Sequence, residues 1–155
     1  IKDSTIIFTL PNSDLKSDII SKEIKDFCKS TKNAFYFKNL GHIYFKSVLK
    51  NCNAIIGNSS SGVIEVPSLG IPSINIGIRQ EGRERTTSII DCKGEREKIL
   101  NAIYKSQETK FKLKYITKRS KNFLYKKNSS KKIYKKILAL LRTNIQPKEF
   151  VDIIK

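Results

Sequence analysis

The densest run of chemically useful residues is Gly57-Asn58-Ser59-Ser60-Ser61-Gly62. It follows Ala54-Ile55-Ile56-Gly57, a short apolar run that reads as a buried parallel strand, and leads into a short helix reaching about Leu69. Hydroxyls and free backbone N–H groups at a strand-to-helix junction suit phosphate, because a helix start carries unpaired donors and partial positive charge. Serine also caps helices for structural reasons alone, so both uses stay open. Glu65, placed in the first turn of that helix, either complements the helix dipole or holds the two hydroxyls of a ribose. Pro67 should shorten or kink the same helix.

A second candidate is the charged loop Arg79-Gln80-Glu81-Gly82-Arg83-Glu84-Arg85, which follows a strand at Ser73–Ile76. Arginine makes forked contacts to phosphate, although a surface loop of mixed sign is common. Phe45 is either a core residue of a short helix or a stacking partner for a base. His42, the single histidine, stands at a helix start with no carboxylate or serine paired to it and reads as a surface or capping residue. No Cys/His/Asp cluster has metal-ligand spacing, and neither a metal nor a cofactor is expected. Cys28, Cys52 and Cys92 are odd in number and far apart, which argues for reduced thiols in a cytoplasmic protein.

The elements that must position these residues alternate. Strands are expected at Thr5–Leu10, Ala34–Phe37, Ala54–Gly57, Ser73–Ile76 and Ser88–Asp91. Helices are expected through Lys29, capped by Asp14 or Ser17, over Ile43–Lys50, and over Glu95–Lys105. Residues 115–142 read as two helices broken near Asn128-Ser129. Such alternation predicts an α/β fold, a parallel sheet with helices on both faces, whose ligands bind at the carboxyl ends of the strands. Residues 57–62 and 77–85 lie at two such ends.

The chain has 155 residues, 39% of them hydrophobic, which suffices for one domain with a real core. No apolar run is long enough to cross a membrane, no signal peptide is visible, and no membrane partner is expected. The absence of methionine, even at position 1, reads as a piece of a longer chain. The net charge of +17 is uneven: residues 1–104 hold 15 Lys/Arg against 11 Asp/Glu, and residues 105–142 hold 14 against 1. That block could meet a polyanion, but 25 lysines and 24 isoleucines also mark a biased composition, and the preferred reading is a solvated helix face without a nucleic-acid partner.

The long block Ile56-Gly57-Asn58-Ser59-Ser60-Ser61-Gly62-Val63-Ile64-Glu65-Val66-Pro67-Ser68-Leu69-Gly70-Ile71-Pro72-Ser73-Ile74-Asn75-Ile76-Gly77, followed by Arg79-Gln80 and Gly82-Arg83, resembles the hydrolysing UDP-N-acetylglucosamine 2-epimerases. Pro11-Asn12 with Asp14, Ile90-Asp91-Cys92 and the end Pro147-Lys148-Glu149-Phe150-Val151-Asp152-Ile153 fit the same order. The resemblance implies a glycosyltransferase-B fold with a cleft between two Rossmann-like domains, of which this chain is similar to the C-terminal one. It implies a nucleotide domain over residues 1–142 and a tail over 143–155 crossing toward an N-terminal domain. The implied reaction takes UDP-N-acetylglucosamine and water to the 2-epimeric free sugar and UDP, through elimination of UDP and addition of water, for sialic-acid-type sugars of bacterial surface glycans.

By the same resemblance, Ser59 and Ser60 bind the diphosphate, Glu65 holds the ribose, and Arg79 lies beside the nucleotide. Phe45 matches an aromatic position near uracil, and Asn58 joins the UDP contacts. The family's acid/base carboxylates belong to the N-terminal domain and its histidine to a strand upstream of Ile1. No catalytic residue is therefore expected in this chain, nor epimerase activity from it alone. Asn122-Phe123-Leu124-Tyr125-Lys126 lacks the proline and glycine of the family's turn, and Ile78 replaces a commonly polar residue. Alternatives are an epimerase acting on UDP-diacetylbacillosamine, a non-catalytic nucleotide or polyanion module, and a glycosyltransferase of the same fold, against which the serine-rich block argues. Exposed apolar surface on the cleft face would favour a homo-oligomer.

Overall fold

The computed structural model describes residues 4–12, 15–117 and 128–143. Asp14, the 122–126 turn and the tail beyond Thr143 lie outside the described residues. β1 (Ile6–Thr9) is β-branched and stops short of Pro11, which cannot donate to a ladder. It pairs in parallel with β2 (Ala34–Phe37), Ile7 opposite Phe35 and Phe8 opposite Tyr36. α1 (Ser17–Ser30) connects them and packs its Phe27 edge-on to Phe8, centroids 5.9 Å apart. Ser17 is the first helical residue and not the cap. Lys16 precedes it at φ 65°, with no side-chain capping bond.

α2 (Gly41–Asn51) follows, with His42 exposed in its first turn. β3 (Ile55–Gly57), β4 (Ser73–Ile76) and β5 (Ile89–Cys92) then form a second parallel ladder with β4 in the centre. Gly57 faces Asn75, and Asn75 faces Asp91. The α/β class and the parallel pairing agree with expectation. Among the described residues, however, the strands form two ladders, β1–β2 and β3–β4–β5, and not one continuous sheet.

Pleating sorts the side chains of β4. Ile74 and Ile76 point to one face, where Ile74 and Ile90 pack with Ala102 of α4 (Arg96–Gln107) and Phe111 of α5 (Thr109–Thr117). Ser73 and Asn75 point to the other, where α3 (Ser60–Ile64) lies. A Cβ built on Gly62 would stand 2.8 Å from Ser73 Oγ, so the helix lies close to the strand and a larger residue there would have to displace the Ser73 side chain. The three-stranded ladder is thus covered on both faces. A second apolar cluster joins Leu49 of α2, Val66 and Ile71, with Phe45, Cys52, Ile55 and Leu69 against it. α6 (Ser129–Leu141) starts at the expected break, where Asn128 adopts φ 61°, and buries no residue.

Pro67 acts as its chemistry requires. α3 ends after five residues and gives way to a 3-10 turn, Val66–Leu69, with the proline near its start. Gly70, at φ 68°, ends that turn and sends the chain into β4.

Candidate functional site

β3 ends at Gly57 and delivers Asn58, Ser59 and Ser60 to the surface, all exposed. Ser59 caps α3: its Oγ accepts from the Ser61 N–H at 3.4 Å, a long bond. Ser60 opens the helix. Glu65 is not in the first turn, as expected, but follows the last residue of α3. The five-residue helix ends before it because the Pro67 turn takes over. Its carboxylate therefore does not complement the dipole of α3; Glu65 stands instead at the N-cap of the 3-10 turn Val66–Leu69, with no side-chain capping bond. Glu65 is exposed, and its backbone carbonyl accepts from Ser68 Oγ at 2.6 Å.

The loop after β4 is tied to this turn by a residue that sequence reasoning passed over. Gln80 is only 4% exposed, and its Nε2 donates to the Asn58 carbonyl at 2.7 Å. This brings Arg79, exposed and adjacent in the chain, to the same end of the ladder as Asn58, Ser59 and Ser60. Ile78, beside it, is 81% exposed.

Arg85 closes the loop from behind. Its Nε donates to both Asp91 carboxylate oxygens, at 2.9 and 3.2 Å, while its other nitrogens donate to the Arg83 and Gln80 carbonyls at 2.7 and 2.8 Å. Asp91 in turn accepts from Asn75 Nδ2 at 2.6 Å. Arg85, one of the expected anion-binding arginines, thus holds the loop in place. The signal for this network was Asn75 itself, a polar residue between two isoleucines on a strand covered on both faces.

Phe45 is half-buried against Leu49, Val66 and Ile71. The contact places it beside Val66, the chain neighbour of Glu65. The six site residues accordingly fall into two groups: Asn58, Ser59, Ser60 and Arg79 at the carboxyl ends of β3 and β4, and Glu65 with Phe45 beyond α3. A small, solvent-open depression lies beside the first group, lined by Ile55, Ile56, Gly57, Ser59, Gly62, Ser73 and Asn75.

Burial raises the Cys52 thiol above the ordinary cysteine value, and burial with the Asp91 charge does the same for Cys92. All three cysteines are unbridged. Among the described residues no group of three or more His, Cys, Asp or Glu could hold a metal, and no helix is long and apolar enough to cross a membrane.

A family described as UDP-N-acetylglucosamine 2-epimerase matches residues 1–138. The polysialic acid biosynthesis protein P7 of Escherichia coli is 38% identical over 148 residues, covering 95% of this chain and 37% of that protein. The GDP/UDP-N,N'-diacetylbacillosamine 2-epimerase (hydrolyzing) of Campylobacter jejuni is 44% identical over 92 residues, 59% of this chain and 24% of that protein. The UDP-N-acetylglucosamine 2-epimerase of Neisseria meningitidis is 35% identical over 98 residues, 63% of this chain and 26% of that protein. The chain thus spans between about a quarter and somewhat over a third of the length of these relatives. With the match running through the β3–β4–β5 ladder and both loops at its carboxyl end, the chain belongs to the UDP-N-acetylglucosamine 2-epimerase family.

Proposed function

We propose that this chain is the UDP-holding part of a hydrolysing UDP-N-acetylglucosamine 2-epimerase, which takes UDP-N-acetylglucosamine and water to N-acetylmannosamine and UDP. The observation that carries this reading is the Gln80 bond to Asn58, which joins the serine turn and the Arg79 loop into one anion-facing surface at two strand ends. Ser59 and Ser60 supply hydroxyl and backbone donors to the diphosphate, with Asn58 beside them, and Arg79 supplies positive charge. Glu65 follows a helix of five residues, about 7 Å of rise, and holds the ribose hydroxyls there. Phe45 borders the base.

Donors fixed on the diphosphate would also stabilise the charge that gathers on UDP as it leaves the sugar. The acid and base that move protons come from another domain, so this chain alone binds UDP without turnover. Separating the two halves of such a site removes the proximity on which the rate depends. The proposed setting is the cytoplasm, in the synthesis of sialic-acid-type sugars. A second substrate reading, UDP-N,N'-diacetylbacillosamine, is favoured by the Campylobacter relative and by one from Legionella pneumophila, 34% identical over 110 residues, named UDP-N,N'-diacetylbacillosamine 2-epimerase (hydrolyzing).

Calorimetric titration of UDP into the wild type and Glu65→Ala, at low and moderate salt, tests the proposal. The expected result is saturable binding with shallow salt dependence, weakened about tenfold in Glu65→Ala, the loss of a hydrogen-bonded charged group. Absent UDP binding, with polyanion binding that falls steeply with salt, would instead assign the working surface to the basic segment 105–142.

A further inference from the structure

Asn75 is 2% exposed on β4, between Gly57 on one neighbouring strand and Asp91 on the other. Its Nδ2 donates to Asp91 Oδ1 at 2.6 Å and reaches the Gly77 carbonyl at 3.5 Å. Arg85 fixes the Asp91 carboxylate in turn. Turning the amide over would set its oxygen against the carboxylate, so the network dictates which way Asn75 Oδ1 faces. That oxygen is buried and has no hydrogen-bond partner, and Asn75 lines the same depression as Gly57 and Ser59. Gly57 presents no side chain across the ladder, and a Cβ there would meet no atom within 4 Å. The depression therefore narrows onto the strand beside a fixed, buried acceptor. Buried acceptors are rarely left unmatched. A diphosphate at neutral pH offers almost only acceptors, so it cannot supply the donor.

We infer that Asn75 is a specificity-determining contact whose Oδ1 accepts a hydrogen bond from a hydroxyl or amide N–H on a sugar of the bound nucleotide. The inference rests on the proposed diphosphate position at Asn58–Ser60, which sets a sugar next to the depression. Ribose and the transferred sugar carry the same donor chemistry. Binding of either makes Asn75 a reader of what flanks the diphosphate, while Ser59 reads the diphosphate itself.

The test follows two signals of the isotope-labelled wild-type chain, the Ser59 backbone amide and the Asn75 Cγ carbon. The titrants are inorganic pyrophosphate, UDP and UDP-N-acetylglucosamine. The Ser59 amide is expected to shift with all three, and Asn75 Cγ with the sugar-bearing ligands only. A Cγ shift already present with UDP assigns the donor to ribose; one that needs UDP-N-acetylglucosamine assigns it to the second sugar. Asn75→Leu, similar in shape without the acceptor, should weaken whichever ligand moved Cγ by about threefold to tenfold more than it weakens pyrophosphate. A shifting Ser59 amide with a silent Asn75 Cγ would overturn the contact and leave the nucleotide reading standing. A Ser59 amide that ignores UDP would overturn both. The Cγ signal decides the matter even if Asn75→Leu does not fold.

Discussion

Ile74 of β4 and Phe35 of β2 are both large apolar residues on parallel strands, yet Ile74 is 1% exposed and Phe35 is 49% exposed. The β3–β4–β5 ladder lies between α4 and α5 on one face and α3 on the other. The β1–β2 ladder has α1 over Phe8, while Ile7, Phe35 and Phe37 share the opposite face and all remain exposed. Parallel sheets are ordinarily covered on both sides. The candidate site thus rests on the better packed ladder, while the exposed face of β1–β2 is the surface most able to change on association.

Truncating one side chain in each ladder should separate the two most. Ile74→Ala should lower unfolding free energy by about 2–5 kcal/mol, the range for large-to-small core changes. Phe35→Ala should cost under about 1 kcal/mol, as for surface changes. Denaturant unfolding measures both, and equal losses would mean that the β2 face is covered in solution, as in a homo-oligomer.

Gly62→Val comes next. The added side chain meets Ser73 Oγ and should cost about 1–3 kcal/mol by overpacking, part of it recovered in Gly62→Val with Ser73→Ala. Additive losses in that double variant would dissociate the two positions. Asp91→Ala removes the acceptor for Asn75 and the anchor of Arg85. The ion pair is partly exposed and contributes at most about 1 kcal/mol, so the larger signature should be faster amide exchange over residues 77–85. Unchanged exchange there would show that the Asp91 contacts do not hold the loop.

The smallest effect concerns Cys52, whose thiol burial holds above the ordinary value. A raised value leaves more neutral thiol at a given pH, so its alkylation by iodoacetamide should set in at higher pH than for a free cysteine peptide. Alkylation at the peptide's own pH would contradict that burial.

Much of this was legible in the sequence because it depends on local rules. β2 and β4 match their expected limits, since β-branched and aromatic runs were bounded by turn residues. Pro67 foretold the short α3, and Asn128 the start of α6. What was missed depends on neighbours in space. Glu65 stands at the end of a helix and not in its first turn because α3 begins at Ser60, inside the serine run, and gives way to the Pro67 turn after Ile64. Gln80 and Arg85 stood in a run of charges that looked uniformly exposed, and only the fold separates the buried amide from the loop surface. Gly62 lies in a run whose residue types suit an anion, whereas its close approach to Ser73 is a packing feature that no sequence spacing expresses. The division into two ladders also lies beyond strand propensity, since pairing is a property of the assembled backbone.

The most direct test of the central claim, that the carboxyl end of the β3–β4–β5 ladder holds the nucleotide, is a map of backbone amide shifts on titrating UDP into this chain. The account predicts saturable shifts confined to residues 57–60, Glu65 and its neighbours, and 77–80, with β1, β2 and α6 unmoved. Shifts that fall instead on α6 and vanish with salt, or none at all, would contradict it.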